Sequence, residues 1–204
     1  YTLLIFGQPG VEINTPDPGF IAYRSMIDYM GAKAVALPHR MENNFSFDAE
    51  ELLSLINDKT RLIILNSPAN PTGGVVPHLE LEKLVKGLKK FPNVFILSDE
   101  IYSRILFDGH KHSSLLTFRE VKDRVIVLDG WSKTYSMTGW RLGYGIFPKS
   151  IFKYAEKLAI NCHSCISIPT QLAGIEALKG SQDSVKKMVQ EFQERRDFLV
   201  TELN

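Results

Sequence analysis

Short apolar segments rich in β-branched residues alternate with segments of helical periodicity along this chain. The strand-like segments are Val11–Thr15, Ala34–Leu37, Leu62–Leu65, Val94–Leu97, Val125–Leu128 and Leu142–Phe147. The helix-like segments are Phe20–Met30, Ala49–Ile56, Leu79–Lys90 and Ile151–Ile160, followed by two helices from about Thr170 to Asn204 that break near Gly180 and Ser181. Almost wholly apolar strands separated by helices are typical of a parallel sheet covered on both faces. The sequence therefore predicts an α/β fold with three layers, α/β/α, around a mostly parallel central sheet.

One helix start is marked by its residues. Asp48 precedes the segment that begins at Ala49, and Glu51 stands three positions after Asp48. This is the spacing of a capping box, in which polar side chains satisfy the free N–H groups of the first helical turn. We therefore predict that a helix begins at Ala49.

Composition limits the classes of function. The 204 residues carry a formal net charge of +1, which gives no electrostatic reason to expect binding to nucleic acid or to an anionic membrane. No segment approaches the roughly 20 apolar residues that a membrane-spanning helix needs. The two cysteines, Cys162 and Cys165, are spaced like a redox pair or half of a zinc site, but two reduced structural thiols are the favoured interpretation. So few cysteines suit a reducing compartment, and we expect the protein to be cytoplasmic.

Polar residues follow three of the predicted strands at the point where each strand ends. They form the runs Asn66–Gly74, Ser98–Tyr102 and Asp129–Tyr144. Ligands of open α/β sheets bind beyond the carboxyl ends of the strands, so a site is expected among these runs. Taken singly, the runs also fit a turn-rich loop, a helix cap and an uninformative Ser-Lys pair. Nucleotide-binding fingerprints are not matched, and because no carboxylates or histidines are spaced as metal ligands, we expect no metal.

Together the runs contain N-P-T-G at Asn70–Gly73, D-x-x-Y at Asp99–Tyr102, and Ser132-Lys133 followed by G-x-R-x-G at Gly139–Gly143. In this order the motifs resemble those of the class I and II aminotransferases, a family of fold-type-I pyridoxal-phosphate enzymes, and the resemblance spans essentially the whole chain. It implies pyridoxal 5'-phosphate as cofactor, an amino acid and a 2-oxo acid as substrates, and a homodimer.

The resemblance also implies a role for five residues. Lys133 matches the lysine that forms the internal aldimine and later moves protons, which requires a primary amine. Asp99 matches the carboxylate that keeps the pyridine nitrogen protonated. Tyr102 and Asn70 match the hydrogen-bond donors to the phenolate oxygen. Arg141 matches the planar cation that binds the phosphate.

Two further positions are compared with the family pattern. Phe20 follows a loop that resembles the one in which an aromatic ring covers the pyridine face, although an aromatic residue at a helix start is more often part of the core. Gly130 stands where many members have a hydroxyl residue that binds phosphate, three positions before the lysine.

The resemblance implies that residues 1–204 form the cofactor-binding large domain. The family's N-terminal phosphate loop and its C-terminal small domain, with the arginine that binds the substrate carboxylate, are expected outside the sequence. The chain alone is therefore expected to be inactive or weakly occupied by cofactor.

Two alternatives to a transaminase stay open. One is an eliminating enzyme that uses the same cofactor, such as a β-C–S lyase. The other is a non-catalytic module of a transcription regulator, against which the retention of the motif residues argues. The five histidines are expected on loops without a role, and His110 and His112 are interpreted as part of a solvated turn rather than a metal site.

Overall fold

A six-stranded sheet forms the centre of the computed structural model, which describes residues 1–203. The strands are β1 (Glu12–Asp17), β2 (Lys33–Pro38), β3 (Thr60–Asn66), β4 (Phe95–Asp99), β5 (Val125–Gly130) and β6 (Gly143–Ile146). Their order across the sheet is β2-β1-β3-β4-β5-β6. All neighbouring pairs are parallel except β5 and β6, which are antiparallel. The predicted mostly parallel sheet is confirmed.

Helices connect the strands and follow the last one. They are α1 (Thr2–Phe6), α2 (Ile21–Tyr29), α3 (Ala49–Ser54), α4 (His78–Gly87), α5 (Trp131–Thr134), α6 (Lys149–His163), α7 (Ile168–Lys179) and α8 (Asp183–Leu203). Short 3-10 turns lie at Met41–Asn43, Leu88–Lys90, Leu115–Thr117, Lys122–Arg124 and Thr138–Trp140. The predicted break near Gly180 and Ser181 separates α7 from α8.

Two apolar cores lie on opposite faces of the sheet, and β3 contributes to both. Ile63 and Leu65 belong to the core that includes residues of α3 and α4. Leu62 and Ile64 belong to the core that includes residues of α2 and α6. Because successive strand residues point to opposite faces, an uninterrupted apolar run is what a doubly covered strand requires. The predicted three-layer arrangement is confirmed.

The structure differs from the prediction at several element ends, and two of these differences have a clear structural basis. The segment predicted as one helix from Leu79 to Lys90 is α-helical only from His78 to Gly87 and closes with a 3-10 turn. The predicted strand Leu142–Phe147 is shorter, because Arg141 has a left-handed backbone conformation with φ of 54° and pairing with β5 begins only at Gly143. A 3-10 turn such as the one that follows α4 is common at the end of a helix.

No helix within residues 1–203 is long and apolar enough to cross a membrane. Cys162 and Cys165 lie at and just beyond the end of α6, where both thiols are exposed and form no disulfide.

The start of α3 provides a stability test. Asp48 Oδ1 accepts a hydrogen bond from the Glu51 backbone N–H at 2.8 Å, as the capping spacing predicts. We expect Asp48→Ala to lower the free energy of unfolding by about 1 kcal/mol, whereas Asp48→Asn keeps the acceptor and should cost much less. Denaturant unfolding of both variants measures this difference. Equal losses for Ala and Asn would show that the side-chain cap contributes nothing.

Candidate functional site

A cavity of about 390 Å³ opens at the carboxyl edge of the sheet. Six residues singled out from the sequence line it: Phe20, Asn70, Asp99, Tyr102, Lys133 and Arg141. They lie at or beyond the ends of four strands, β1, β3, β4 and β5. Because parallel strands end at the same edge, segments that are far apart in sequence meet there. The structure thus brings all six residues together.

Lys133 lies in α5, the short helix that directly follows β5. Its side chain is half-buried, and its Nζ lies 5.8 Å from the centroid of the Tyr102 ring. Within residues 1–203 this amine has no hydrogen bond and no ion pair. A primary amine that faces a cavity without a carboxylate partner is available to react with a carbonyl group.

Asp99 ends β4 and lines the same cavity. Its Oδ2 accepts a hydrogen bond from the Tyr23 hydroxyl at 2.6 Å, and its Oδ1 accepts a longer one, 3.3 Å, from the Ile101 backbone N–H. Burial raises the pKa of Asp99, and the nearby Asp129 and Glu100 carboxylates raise it further, against these two hydrogen bonds. A protonated ring nitrogen in the cavity would supply the positive partner that this carboxylate lacks.

Tyr23 is a site residue that the sequence analysis missed. It lies on α2, is buried, and donates to Asp99, while burial raises the pKa of its hydroxyl above the ordinary value. Its ring packs edge-on against that of Phe20, with 5.5 Å between the centroids. The signal in the sequence is that Tyr23 lies three residues after Phe20, in the first turn of the predicted helix, where its ring can reach that of Phe20.

Phe20 itself is not a core residue. It precedes the first residue of α2 and is 44% exposed, so its ring covers part of the cavity rather than packing in the interior. The alternative interpretation of Phe20 as core is therefore wrong.

Asn66, also missed, connects the ends of two strands to the loop that carries Asn70. Its Nδ2 donates to the Asp99 backbone carbonyl at 3.0 Å, and its Oδ1 accepts from the Asn70 backbone N–H at 2.8 Å. Asn66 is buried, so both polar ends of its amide need partners. One side chain thus fixes Asn70 relative to Asp99.

Arg141 has a φ of 54°, in the left-handed region that residues with a Cβ rarely adopt. Its Nη1 donates to the Thr138 carbonyl at 2.8 Å, and the side chain is exposed at the cavity. Such a conformation persists only where the surroundings enforce it, and it is found often at ligand sites. The guanidinium keeps further N–H groups with which to bind an anion.

Gly130, where the family often has a hydroxyl residue, lies opposite Gly143 in the β5–β6 pair. A Cβ added at Gly130 would stand 2.9 Å from both the Gly143 Cα and the Leu142 carbonyl oxygen. Real Cβ atoms essentially never come so close to backbone, so the departure has a steric cause. The two strands approach too closely for a serine.

The expectation that the histidines lie on loops is wrong for two of them, and the interpretation of His112 as part of a solvated turn is also wrong. His78 begins α4 and His163 ends α6. His112 is half-buried rather than solvated, and its Nε2 lies 2.8 Å from Glu100 Oε2. The contact between His112 and Glu100 is hard to predict from the sequence, because the two residues are twelve positions apart on an irregular loop.

The lining groups fit pyridoxal phosphate. That molecule has an aldehyde, a pyridine nitrogen, a phenolate oxygen and a phosphate. The cavity offers an amine at Lys133, a buried carboxylate at Asp99, a phenol at Tyr102, an amide at Asn70 and a guanidinium at Arg141. Each polar part of the cofactor has a side chain of suitable charge or hydrogen-bonding type.

Comparison with known proteins gives matches over the whole chain. The family described as "Aminotransferase class I and II" matches residues 1–204. The "Probable aspartate/prephenate aminotransferase" of Rickettsia prowazekii is 40% identical over 193 residues, which are 94% of this chain and 48% of that protein. The "Aspartate aminotransferase" of Sulfurisphaera tokodaii is 38% identical over 202 residues, 98% of this chain and 50% of that protein.

A solved structure has a fold closely similar to that of this chain. The aromatic aminotransferase from Pyrococcus horikoshii superposes with a TM-score of 0.93 and 33% identity, over 99% of this chain and 54% of that one. The chain therefore spans about half the length of the proteins it matches.

The close approach at Gly130 leads to a prediction. We expect Gly130→Ser to lower the free energy of unfolding by about 1–3 kcal/mol, because its Cβ would push β5 and β6 apart. Gly139→Ser is the matched control, since a Cβ there meets nothing within 4 Å. Thermal or denaturant unfolding of both variants gives the comparison. A Gly130→Ser variant as stable as the control would refute the steric explanation.

Proposed function

The chain belongs to the class I and II aminotransferases, and from this premise we propose that residues 1–204 are the cofactor-binding large domain of an enzyme that transfers an amino group between an amino acid and a 2-oxo acid. The observation that carries the proposal is the presence of Lys133 and Asp99 in one cavity, the amine unpaired and the carboxylate buried. Pyridoxal phosphate, when bound, supplies the electron sink that lets a proton leave the substrate Cα.

Each side chain of the cavity has a separate role in the proposed reaction. Lys133 Nζ would hold the cofactor, and as a free amine it would be the base that carries a proton at the substrate. Asp99 would hold the proton on the pyridine nitrogen, and Tyr23 orients the Asp99 carboxylate through its 2.6 Å hydrogen bond. Phe20 covers the ring from one side and excludes water there.

The remaining polar residues bind the periphery of the cofactor. Tyr102 and Asn70 would donate to the phenolate oxygen, and Arg141 would bind the phosphate. Gly130 has no side chain to share that task, so Arg141, with a backbone N–H in place of the missing hydroxyl, would hold the phosphate.

The nature of the substrate is proposed from the relatives and from the space beside the cavity. Two of the relatives are named for aspartate, so aspartate is the first amino donor to test. Asn70 and Tyr102 also line a neighbouring groove of about 1060 Å³, which is large enough to admit an amino acid.

Assembly and compartment complete the proposal. The exposed apolar residues Ile168, Leu172 and Ile175 on α7 support a homodimer, because contiguous exposed apolar surface is a feature of association sites. The two unpaired thiols are consistent with a reducing compartment, and we assign the protein to the cytoplasm.

The covalent role of Lys133 can be tested directly. Borohydride reduction of the full-length protein loaded with pyridoxal phosphate should fix the cofactor on Lys133, and Lys133→Ala in that protein should abolish both the labelling and the turnover of aspartate. Peptide mass spectrometry locates the label. Lys153→Ala, which changes a lysine of α6 outside the cavity, is the control and should label normally. A label on another lysine would refute the assignment.

The electronic role of Asp99 gives a separate prediction. Asp99→Ala should still permit covalent attachment of the cofactor but should lower kcat by about 10²–10³, because the pyridine nitrogen loses the anion that stabilises its proton. Asp99→Glu keeps the charge and should lose less. Single-turnover kinetics with aspartate measure both rates. Near-normal turnover of Asp99→Ala would show that Asp99 serves only the local fold.

A further inference from the structure

A buried carboxylate next to Asp99 has three hydrogen-bond partners and no part in the function proposed above. Glu100 Oε1 accepts from the hydroxyls of Ser98 and Ser114, each at 2.9 Å, and Glu100 Oε2 lies 2.8 Å from His112 Nε2. Glu100 is 6% exposed. We call these four residues the Glu100 network.

The Glu100 network lies behind the site rather than in it. Successive residues of a strand point to opposite faces, so Ser98 and Glu100 point away from the face on which Asp99 meets Tyr23. The Glu100 backbone N–H donates to the Leu128 carbonyl at 2.8 Å, which continues the pairing of β4 with β5. Glu100 is therefore held by its backbone to the sheet and by its side chain to a loop.

That loop carries Tyr102. It leaves β4 at Glu100 and returns at His112 and Ser114, so the Glu100 network joins the two ends of the loop. The Ser103 backbone N–H donates to the Glu100 carbonyl at 2.8 Å, which closes a turn around Tyr102. A displacement of Glu100 would move this turn and with it the Tyr102 ring.

The energetics favour keeping the network intact. A buried carboxylate is costly unless its oxygens are hydrogen-bonded, and loss of one partner leaves the desolvation cost unmatched. When His112 is removed, Glu100 Oε2 has to find another partner, and the exposed part of the loop is the element free to move. The network also interacts electrostatically with Asp129. Burial raises the pKa of Asp129, the nearby Glu100 raises it further, and His112 lowers it.

We infer that His112, acting through Glu100, is a positioning residue for Tyr102 in the reaction proposed above, on which this inference rests. The imidazole holds the Glu100 carboxylate in place, and Glu100 fixes the turn that directs the Tyr102 hydroxyl into the cavity. His112 touches neither substrate nor cofactor in this scheme.

The test uses the visible absorption of bound pyridoxal phosphate as a function of pH. A hydroxyl that donates to the phenolate oxygen favours the more anionic form of the cofactor, so loss of the donor raises the midpoint of the titration. Tyr102→Phe should raise it by about one pH unit. His112→Leu, which has similar volume but no donor, should raise it in the same direction by a smaller amount. The titratable side chains that face the cofactor, all unchanged in His112→Leu, are Tyr23, Asp99, Tyr102, Asp129, Lys133 and Arg141.

A double-mutant cycle separates positioning from general destabilisation. In Tyr102→Phe/His112→Leu the midpoint should equal that of Tyr102→Phe alone, because both changes act through one hydroxyl. His112→Gln retains a donor and should restore most of the wild-type midpoint. His110→Ala changes the exposed histidine of the same loop and should leave the midpoint unchanged.

The outcomes are distinct. If Tyr102→Phe shifts the midpoint and His112→Leu lowers only the melting temperature, the network is merely structural and the inference is wrong. If Tyr102→Phe itself has no effect, the site assignment of Tyr102 fails before His112 is in question. If His112→Leu does not fold, Ser98→Ala removes a different donor to Glu100, and an unchanged midpoint in that variant overturns the inference.

Discussion

Because β3, β4 and β5 pair in parallel, the connections that follow these three strands leave the sheet side by side at one edge. The register aligns Asn66 with Asp99, the last residues of β3 and β4, and it aligns Asp99 with Leu128, two residues before the end of β5. The reactive groups follow directly in the connections. Uncoupling one strand from this register would remove its side chain from the cavity, and the site depends on the pairing more than on any single contact within it.

Three carboxylates lie near these strand ends, and each is stabilised differently. Glu100 has two hydroxyls and an imidazole, and Asp129 has the Gly130 backbone N–H at 2.6 Å and a longer bond from the Tyr144 hydroxyl. Asp99 has the Tyr23 hydroxyl and a weak backbone contact, and burial raises its pKa. Asp99 and Asp129 both line the cavity, and each accepts from one hydroxyl and one backbone N–H, whereas Glu100 has three partners behind the cavity. Burial raises the pKa of both Asp99 and Asp129.

Much of this arrangement could be predicted from the sequence because it depends on patterns within single segments of the chain. Alternation of apolar and helical segments determines the layers, and motif residues directly after strands locate the cavity. Lys133 and Asp99 were found in this way. Tyr23, Asn66 and His112 were not, because each acts through a partner distant in sequence: Tyr23 and Asn66 meet Asp99 across 76 and 33 positions. No spacing rule on one segment reveals such a pair.

The ends of elements were predicted less well for a related reason. The cap at Asp48 is a local signal and was found, whereas the start of β6 depends on the left-handed conformation of Arg141 and on pairing with β5. These are tertiary effects that override the apolar run from which the strand was predicted.

The contact between Gly130 and Gly143 has a consequence for how this sequence can change. A side chain at Gly130 would meet the backbone of β6 at Gly143, and one at Gly143 would stand 3.3 Å from the Asp129 carbonyl oxygen. Widening the gap between the strands would displace β5, which leads into α5 and Lys133 three residues after Gly130. We therefore expect both positions to favour glycine, because no substitution at one of them removes the backbone atoms that a Cβ at the other would meet.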